Sequence, residues 1–272
     1  DEVTDTNGNL NAILTLPLVE PNYGNLSVSI PTKTTGSSTK TTGSSIKTSR
    51  TIPPKEDLRS DFKDRIAKEA PILNKERVRV AEGQYLLDRD VVIEKGGVLI
   101  VDPGVNFVFA PGIGIYCEGT FVVRGDSSKP VSMQADKEKH GWAGLVLNGP
   151  HALRSSLAHC VIQAGEGTPV KYQNGILVLD EVNKASALRY GGGVFISNVC
   201  QEADADAILL EAVNITGNKA AKGGGIAVFN SRVRIKDSIV QKNNAEISGG
   251  GLYVEHGKVI TQGKVQFSEN SA

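Results

Sequence analysis

The sequence is poor in aromatic residues and has no net charge. Only 5% of its 272 residues are Phe, Trp or Tyr, which excludes a core built from large rings. Lys plus Arg and Asp plus Glu both number 30, and this balance argues against nucleic acid as the main partner. Every apolar run is shorter than the roughly 18 residues of a membrane-spanning helix, so no transmembrane segment is predicted.

Cysteine and methionine are also scarce. The three cysteines, Cys117, Cys160 and Cys200, form an odd set, so at least one thiol stays free in any pairing. We expect them to be small, inward-facing hydrophobic residues. The four histidines lack the spacing of a metal site, and we predict no metal and no cofactor. Because the sequence has no initiator Met and no signal peptide, we expect a mature product or a fragment.

Glycine, in contrast, is abundant, with 30 residues, and three glycine triplets divide the second half of the chain. The triplets lie at 191–193, 223–225 and 249–251, with spacings of 32 and 26 residues. A second segment also repeats with similar sequence, at 213–220, 239–245 and 265–272. The asparagines Asn218, Asn243 and Asn270 of its three copies are 25 and 27 residues apart. A period in this range predicts stacked supersecondary units.

Short β runs lie inside each period, for example at residues 226–229 and 233–235. They alternate apolar and polar residues and end at Gly, Asn, Asp or Ser. Two or three such strands per period describe one rung of a parallel β-helix, in which each rung pairs with the next. We predict that Asn218, Asn243 and Asn270 form a ladder at one turn, in the left-handed conformation, and that the glycines form sharp corners.

Seven further β runs fill residues 78–123, and most of the short breaks between them contain Gly. Residues 93–105 and the segment Gly-Trp-Ala-Gly-Leu at 141–145 resemble the opening rungs of right-handed parallel β-helix proteins of the pectin-lyase-like superfamily. The repeats over 213–272 resemble those of polymorphic outer-membrane and autotransporter passenger domains. This resemblance implies fold and surface location more than activity. Within it, we expect Trp142 to pack at a turn.

The predicted fold class is therefore all-β, a right-handed single-stranded parallel β-helix with an N-terminal capping helix and a flexible N-terminal segment. The predicted parts are a short β segment or the end of a preceding domain (1–30), a low-complexity Thr/Ser/Gly linker (31–54), an amphipathic capping helix (55–70) and the β-helix (71–272). Leu58, Phe62 and Ile66 form the apolar stripe of that helix. Because the repeat breaks off at Ala272, we expect the native chain to continue or another subunit to cover the open end.

One candidate site is acidic. Glu202, Asp204 and Asp206 alternate, so a strand would place all three carboxylates on one face. A carboxylate pair can act as acid and base or bind Ca²⁺. The same residues also fit a solvated loop inserted between rungs, because the triplets on either side are 32 rather than 26 residues apart.

A second candidate site is basic. Arg232, Arg234 and Lys236 alternate with apolar residues, so the three cations are predicted to point outward from one strand. An anionic polysaccharide or lipid headgroup would suit such a row, and a plain solvated face is the alternative.

The favoured interpretation is a secreted or cell-surface domain with a structural or adhesive role and no catalysis of its own. Its long faces would offer an extended surface to a polysaccharide or a cell-surface protein. One alternative is a polysaccharide lyase or glycoside hydrolase of the pectin-lyase-like superfamily, for which Ca²⁺ would be the cofactor. Another is a subunit of an extracellular filament, joined through residues 12–19 or through the open C-terminal rung.

Overall fold

A computed structural model describes residues 13–15, 72–136, 141–173, 176–180, 187–199 and 207–272. These residues form an all-β structure with one 3₁₀-helix, Pro150–Arg154, and no α-helix. The predicted linker (31–54) and capping helix (55–70) lie outside the described residues, as does the segment 1–30 apart from residues 13–15.

The structure contains 25 strands among these residues. In chain order they are β1 (Ile13–Thr15), β2 (Ile72–Leu73), β3 (Arg77–Val80), β4 (Gly83–Leu87), β5 (Val91–Ile93), β6 (Val98–Val101), β7 (Val105–Phe109), β8 (Gly114–Cys117), β9 (Thr120–Arg124), β10 (Val131–Ala135), β11 (Gly144–Asn148), β12 (Ser156–Gln163), β13 (Thr168–Gln173), β14 (Ile176–Leu179), β15 (Leu188–Tyr190), β16 (Val194–Ser197), β17 (Ile208–Thr216), β18 (Lys219–Lys222), β19 (Ile226–Phe229), β20 (Arg232–Lys236), β21 (Ile239–Gln241), β22 (Asn244–Ser248), β23 (Leu252–Glu255), β24 (Lys258–Gln262) and β25 (Gln266–Ser268). The alternating runs at 78–123 and 213–267 are thus confirmed as strands.

The strands build three sheets. Sheet I has 13 strands, sheet II runs β2-β5-β8-β11-β16-β19-β23, and sheet III runs β14-β13-β15-β18-β22. In the later part of the chain, each passage visits sheet I, sheet III and sheet II in turn: β20 and β21 are followed by β22, then by β23, before β24 returns to sheet I. We call one such passage a rung.

Strands of successive rungs pair in parallel. The exceptions among the described strands are the antiparallel pairs β1 with β24, β13 with β14 and β13 with β15. This arrangement of stacked, mostly parallel sheets is compatible with a β-helix-like solenoid.

The core consists of apolar side chains stacked on their counterparts one rung away. Alternation along each strand sends every second side chain inward, as in β7, where Val105, Phe107 and Phe109 are buried. The pairing registers align one inward column over six rungs: Val80, Val101, Val123, Leu157, Leu210 and Ile235. All six side chains are at most 1% exposed, so the narrow core needs few aromatic rings.

The glycine triplets are corners, as predicted. The first glycine of each triplet has a left-handed φ, 59° at Gly191, 67° at Gly223 and 71° at Gly249. The second glycine packs against the next rung: a Cβ on Gly192 would lie 2.0 Å from the carbonyl oxygen of Gly224. The first position of a triplet therefore requires glycine for its left-handed backbone conformation, and the second requires it because there is no space for a Cβ atom.

The predicted asparagine ladder is confirmed, with one correction. Asn218, Asn243 and Asn270 bond to one another through their amides. However, none of them is left-handed, because the residue just before each asparagine makes the turn: φ is 64° at Gly217 and 55° at Lys242. The preceding residue bends the chain, and the asparagine side chain then satisfies the backbone groups of the bend.

One segment leaves the regular stack. The described residues between 168 and 190 (168–173, 176–180 and 187–190), which we call the excursion, include β13, β14 and β15, and β13 pairs antiparallel with both other strands. The repeat pattern of the sequence does not predict it, because the excursion lies before the first glycine triplet and, among the described strands, only its β15 has counterparts in later rungs, β18 and β22.

Candidate functional site

Strand β20 holds the three predicted cations on its outer side. Arg234 is exposed and Arg232 and Lys236 are partly buried, whereas Val233 and Ile235 are fully buried in the core. The alternation in the sequence therefore places these side chains correctly, but this placement alone does not test whether they bind a ligand.

Neighbouring strands alter the charge of this face. Lys236 Nζ donates a 2.6 Å hydrogen bond to Glu211 Oε1, and this bond raises the pKa of Lys236. In the next rung, Lys258 pairs in register with Arg232. Arg232, Arg234 and Lys258, which we call the cation row, thus provide the outward positive charge. Arg232 Nε is buried without a hydrogen-bond partner in the described structure.

The acidic candidates Glu202, Asp204 and Asp206 lie outside the described residues. Asp180, another carboxylate in this part of the sequence, is described. It is 4% exposed, and Lys171 Nζ lies 3.3 Å from its Oδ1. Asp180 is therefore a buried carboxylate paired with an exposed lysine, whose side chain is 42% exposed.

An apolar strip follows the outer surface of sheet II. The pairing registers place its members in one outward column: Tyr116, Val146, Phe195, Ala227 and Tyr253. The central three are at most 2% exposed although they face away from the core. The excursion buries them, because its Val170 and Tyr190 pack against Val146 and Phe195 in a second hydrophobic cluster.

Polar groups join the excursion to the edge of this strip. Tyr172 Oη donates to Glu255 Oε1 and Tyr253 Oη donates to Glu255 Oε2, each over 2.6 Å. Lys222 Nζ donates to Tyr253 Oη over 2.9 Å and lies 3.9 Å from Glu255 Oε2. The same ammonium lies 5.5 Å from the centre of the Tyr190 ring. We call Tyr172, Tyr190, Lys222, Tyr253 and Glu255 the tyrosine cluster.

The charges of the tyrosine cluster follow from these contacts. Burial and the hydrogen bonds to Glu255 raise the pKa of the Tyr172 and Tyr253 hydroxyls. Burial also raises the pKa of Glu255, but the two tyrosine hydroxyls and the charge of Lys222 lower it by more, so the net pKa is below the usual value. At Lys222, burial lowers the pKa and the tyrosine hydroxyls raise it by more. At neutral pH Tyr172 and Tyr253 are therefore neutral phenols, Glu255 is a carboxylate and Lys222 is an ammonium group.

Tyr190 differs from the other tyrosines of the cluster. It is 1% exposed, and its hydroxyl is buried without a hydrogen-bond partner in the described residues. The hydroxyl lies close enough to Tyr172 and Lys222 to influence their pKa values, but the geometry of a normal hydrogen bond is not reached with either. Buried hydroxyl groups in proteins are nearly always paired, so this one is unusual.

Sequence reasoning missed the tyrosine cluster, although one part of it was accessible. Tyr253 and Glu255 alternate with Leu252 and Val254, so both are predicted to face outward from the same strand. Tyr172 comes from the excursion, 83 residues before Glu255, and no spacing in the sequence indicates that contact.

The remaining predictions concern buried side chains. Cys117 and Cys160 are free and buried, as expected, and burial raises the pKa of each thiol to about 12. Cys200 lies outside the described residues. Trp142 is fully buried, stacks on Phe109 at 4.3 Å and donates to the carbonyl oxygen of Gln163, which confirms that it packs at a turn.

Within the described ranges, no group of three or more His, Cys, Asp or Glu side chains is arranged to hold a metal ion. No helix in this part of the chain has the length and hydropathy of a membrane span.

The class that the fold defines is an all-β protein of stacked, mostly parallel sheets. No protein-family model matches the chain, and neither a curated protein nor a solved structure shows significant similarity to it.

Proposed function

We propose that this chain is a right-handed, single-stranded parallel β-helix of the pectin-lyase-like type, secreted or displayed at a cell surface, with a structural or adhesive role. The observation that supports the proposal is the in-register pairing of successive rungs, which turns each face into an extended surface. Along such a face, equivalent side chains repeat every ~4.8 Å. A surface of this kind suits long ligands that make many weak contacts.

The cation row is the part of this surface that we assign to contact. Arg232 and Lys258 are neighbours on adjacent strands, and Arg234 is the exposed residue two positions further along β20. Arginine guanidinium groups bind carboxylates and sulfates through paired hydrogen bonds. Because Lys236 is neutralised by Glu211, we propose that Arg232, Arg234 and Lys258 bind an anionic polysaccharide.

Retention of the 272-residue chain on immobilised polygalacturonate and heparin tests this function. We expect binding that weakens with added salt, since exposed charges more than about 8–10 Å apart are screened at physiological ionic strength. Arg234→Gln combined with Lys258→Gln should reduce retention. The matched control is Lys129→Gln, which removes a lysine that Glu82 already pairs at 2.8 Å. Equal retention of both variants would contradict the assignment, and release of oligosaccharide products would replace it with the enzymatic alternative.

A second function, assembly into a filament, is favoured by one observation. Strand β1 pairs antiparallel with β24, with Ile13 opposite Ile260 and Leu14 opposite Val259. Part of the apolar segment 12–19 thus occupies the edge of sheet I within the same chain. The 56 residues from 16 to 71 could extend to nearly 200 Å, far more than the ~30 Å across six strand spacings of sheet I. The same strand can therefore reach the edge of a second copy.

Disulfide trapping distinguishes the two pairings. Opposed residues of antiparallel strands have Cα atoms about 4.5–5.5 Å apart, which suits a disulfide. In a Cys200→Ser background, Ile13→Cys and Ile260→Cys placed in one chain should form an intramolecular bond. If the strand also exchanges, mixing the two single variants should give disulfide-linked dimers. Monomers alone in the mixture, over a range of protein concentrations, would exclude a filament joined by exchange of β1.

A further inference from the structure

We propose that the tyrosine cluster is a binding site for a neutral, polyhydroxylated ligand, namely one saccharide unit of an uncharged glycan. The site lies on the outer side of sheets II and III, where the excursion meets β18 and β23. The cation row lies on β20 and β24 of sheet I. The proposal therefore does not depend on anionic polysaccharide binding at that row.

The first argument is the unused hydrogen-bonding capacity. The Tyr190 hydroxyl is buried without a partner in the described structure, beside Tyr172 and Lys222, so a ligand bonds to it by displacing one of these two partly exposed side chains. Lys222 has three N–H donors, of which one is used by Tyr253 Oη, while Glu255 lies at 3.9 Å. The groups near the ammonium thus retain donors that an oxygen atom of a ligand can satisfy.

The second argument concerns charge. Glu255 is ionised and Lys222 is protonated, so the cluster has no net charge. An anionic ligand that approached Lys222 would also meet the carboxylate of Glu255, and a cationic ligand would meet the ammonium. A neutral ligand with hydroxyl groups avoids both conflicts, because each hydroxyl can donate to Glu255 and accept from Lys222 or Tyr190. Each oxygen of the Glu255 carboxylate accepts a hydrogen bond from one tyrosine and has a lone pair for another.

The third argument concerns shape and access. The Lys222 and Glu255 side chains remain 22% and 23% exposed, so solvent reaches the polar centre of the cluster. Tyr172 is 51% exposed, and its ring meets Phe229 at 76°. A tyrosine that is fixed by its hydroxyl and half open to solvent offers an apolar surface with a polar end. The C–H face of a sugar ring can pack on such a surface while its hydroxyls reach the charged pair.

Saturation-transfer NMR on the full chain tests the proposal with glucose, galactose, mannose and N-acetylglucosamine, and with neutral oligosaccharides built from them. The diagnostic variant is Tyr190→Phe, which removes one oxygen atom and keeps the ring that packs on Phe195. Since a hydrogen bond typically contributes a net factor of about 3–10 in affinity, we expect a loss of that size. Tyr116→Phe, in the same outward column but outside the cluster, should bind as the unmodified chain does.

Thermal unfolding provides a second readout on the same variant. If the Tyr190 hydroxyl has no partner in the free protein, Tyr190→Phe should unfold at the same or a higher temperature. A clear loss of stability would show that an ordered water or protein group already satisfies the hydroxyl, and would overturn the proposal. Absence of saturable binding to every neutral sugar, or equal binding by Tyr190→Phe, would also overturn it.

Discussion

Asn218 Nδ2 donates a 2.9 Å hydrogen bond to Oδ1 of Asn243, which lies one rung further along the stack. The same oxygen accepts from the backbone N–H of Asn218, and Asn243 Nδ2 donates to the carbonyl oxygen of Ile215 at 2.9 Å. Asn243 is 1% exposed, so these bonds lie inside the stack. Its amide satisfies two backbone groups of the preceding rung and also donates to Oδ1 of Asn270 in the following rung. The ladder therefore couples the bends of successive rungs.

Replacing Asn243 tests this coupling. Asn243→Ala leaves the Asn218 N–H and the Ile215 carbonyl buried and unpaired, and should lower the free energy of unfolding by about 2–4 kcal/mol. Asn243→Asp retains the acceptor but loses both donors and buries a carboxylate. The loss in free energy of unfolding caused by Asn243→Asp should be largest at neutral pH and should become smaller at acidic pH, because the protonated acid can donate a hydrogen bond. Urea unfolding at pH 7 and pH 4 measures both effects.

The matched control for the ladder is Glu246→Ala, since Glu246 is an exposed residue of β22 in the same rung. It should change the free energy of unfolding by less than about 0.5 kcal/mol. If Asn243→Ala were equally mild, the amides would not hold the rungs together.

Two glycines predict losses of stability of very different size for the same substitution. Gly192→Ala would place a methyl group 2.0 Å from the carbonyl oxygen of Gly224, so adjacent rungs must separate. A methyl group on Gly217 would have no atom within 4 Å, so the cost there is limited to a left-handed φ of 64°. We expect Gly217→Ala to lose about 1 kcal/mol and Gly192→Ala to lose several times more or to fail to fold. Urea midpoints compare the two.

A third variant separates conformation from space at the Gly217 position. Lys242 occupies the equivalent turn one rung later with a φ of 55°. Gly217→Asn should therefore be nearly neutral, because asparagine tolerates the left-handed region better than alanine does. A large loss of stability in Gly217→Asn would mean that this turn needs glycine for a reason other than its backbone conformation.

The repeating part of the fold was predictable because every rung obeys the same local rules. Alternation in Arg232–Lys236 predicts which side chains enter the core, and the spacing of Asn218 and Asn243 predicts their contact. We predicted the left-handed conformation for the asparagines, because asparagine adopts it more often than most residues do. In the structure the preceding residue adopts it instead, as Lys242 does before Asn243, so the prediction is wrong by one position. Rules that recur in each rung can be read from one sequence.

The tyrosine cluster was not predictable for the opposite reason. It depends on the excursion, which occurs once and pairs antiparallel to itself. Tyr172 meets Glu255 because the excursion folds back over sheet II, and the register of that contact appears only in three dimensions. The cation row falls between these cases: Arg232 and Arg234 were predicted, while the neutralisation of Lys236 by Glu211 required the strand register.

The bond between Tyr172 and Glu255 predicts a pH-dependent stability. Tyr172→Phe removes a charge-assisted hydrogen bond that is partly exposed, and should cost about 1 kcal/mol at pH 7. Because the pKa of Glu255 is lower in the folded protein, its contribution is present above the unfolded pKa of about 4.3 and is lost as the pH falls through the folded value. The difference between the unmodified chain and Tyr172→Phe should therefore disappear in acid.

Glu255→Gln provides the companion measurement for this bond. It removes the ionisable group, so its urea midpoint should depend less on pH than that of the unmodified chain between pH 7 and pH 3. Glu246→Gln, an exposed glutamate in the neighbouring strand β22, serves as the control. A constant difference between Tyr172→Phe and the unmodified chain at all pH values would indicate that the phenol does not interact with an ionised Glu255.

The buried cysteines predict a thiol chemistry that appears only on unfolding. Cys117 and Cys160 are 1% and 2% exposed, and burial raises the pKa of both to about 12. At pH 8 almost no thiolate forms, and thiolate is the species that attacks an aromatic disulfide reagent. In a Cys200→Ser background, the folded chain should therefore release almost no thionitrobenzoate from Ellman's reagent, and 6 M guanidinium chloride should expose two equivalents. Rapid reaction of one thiol in the folded chain would contradict this expectation. Repeating the assay with Cys160→Ser would then decide which thiol reacts.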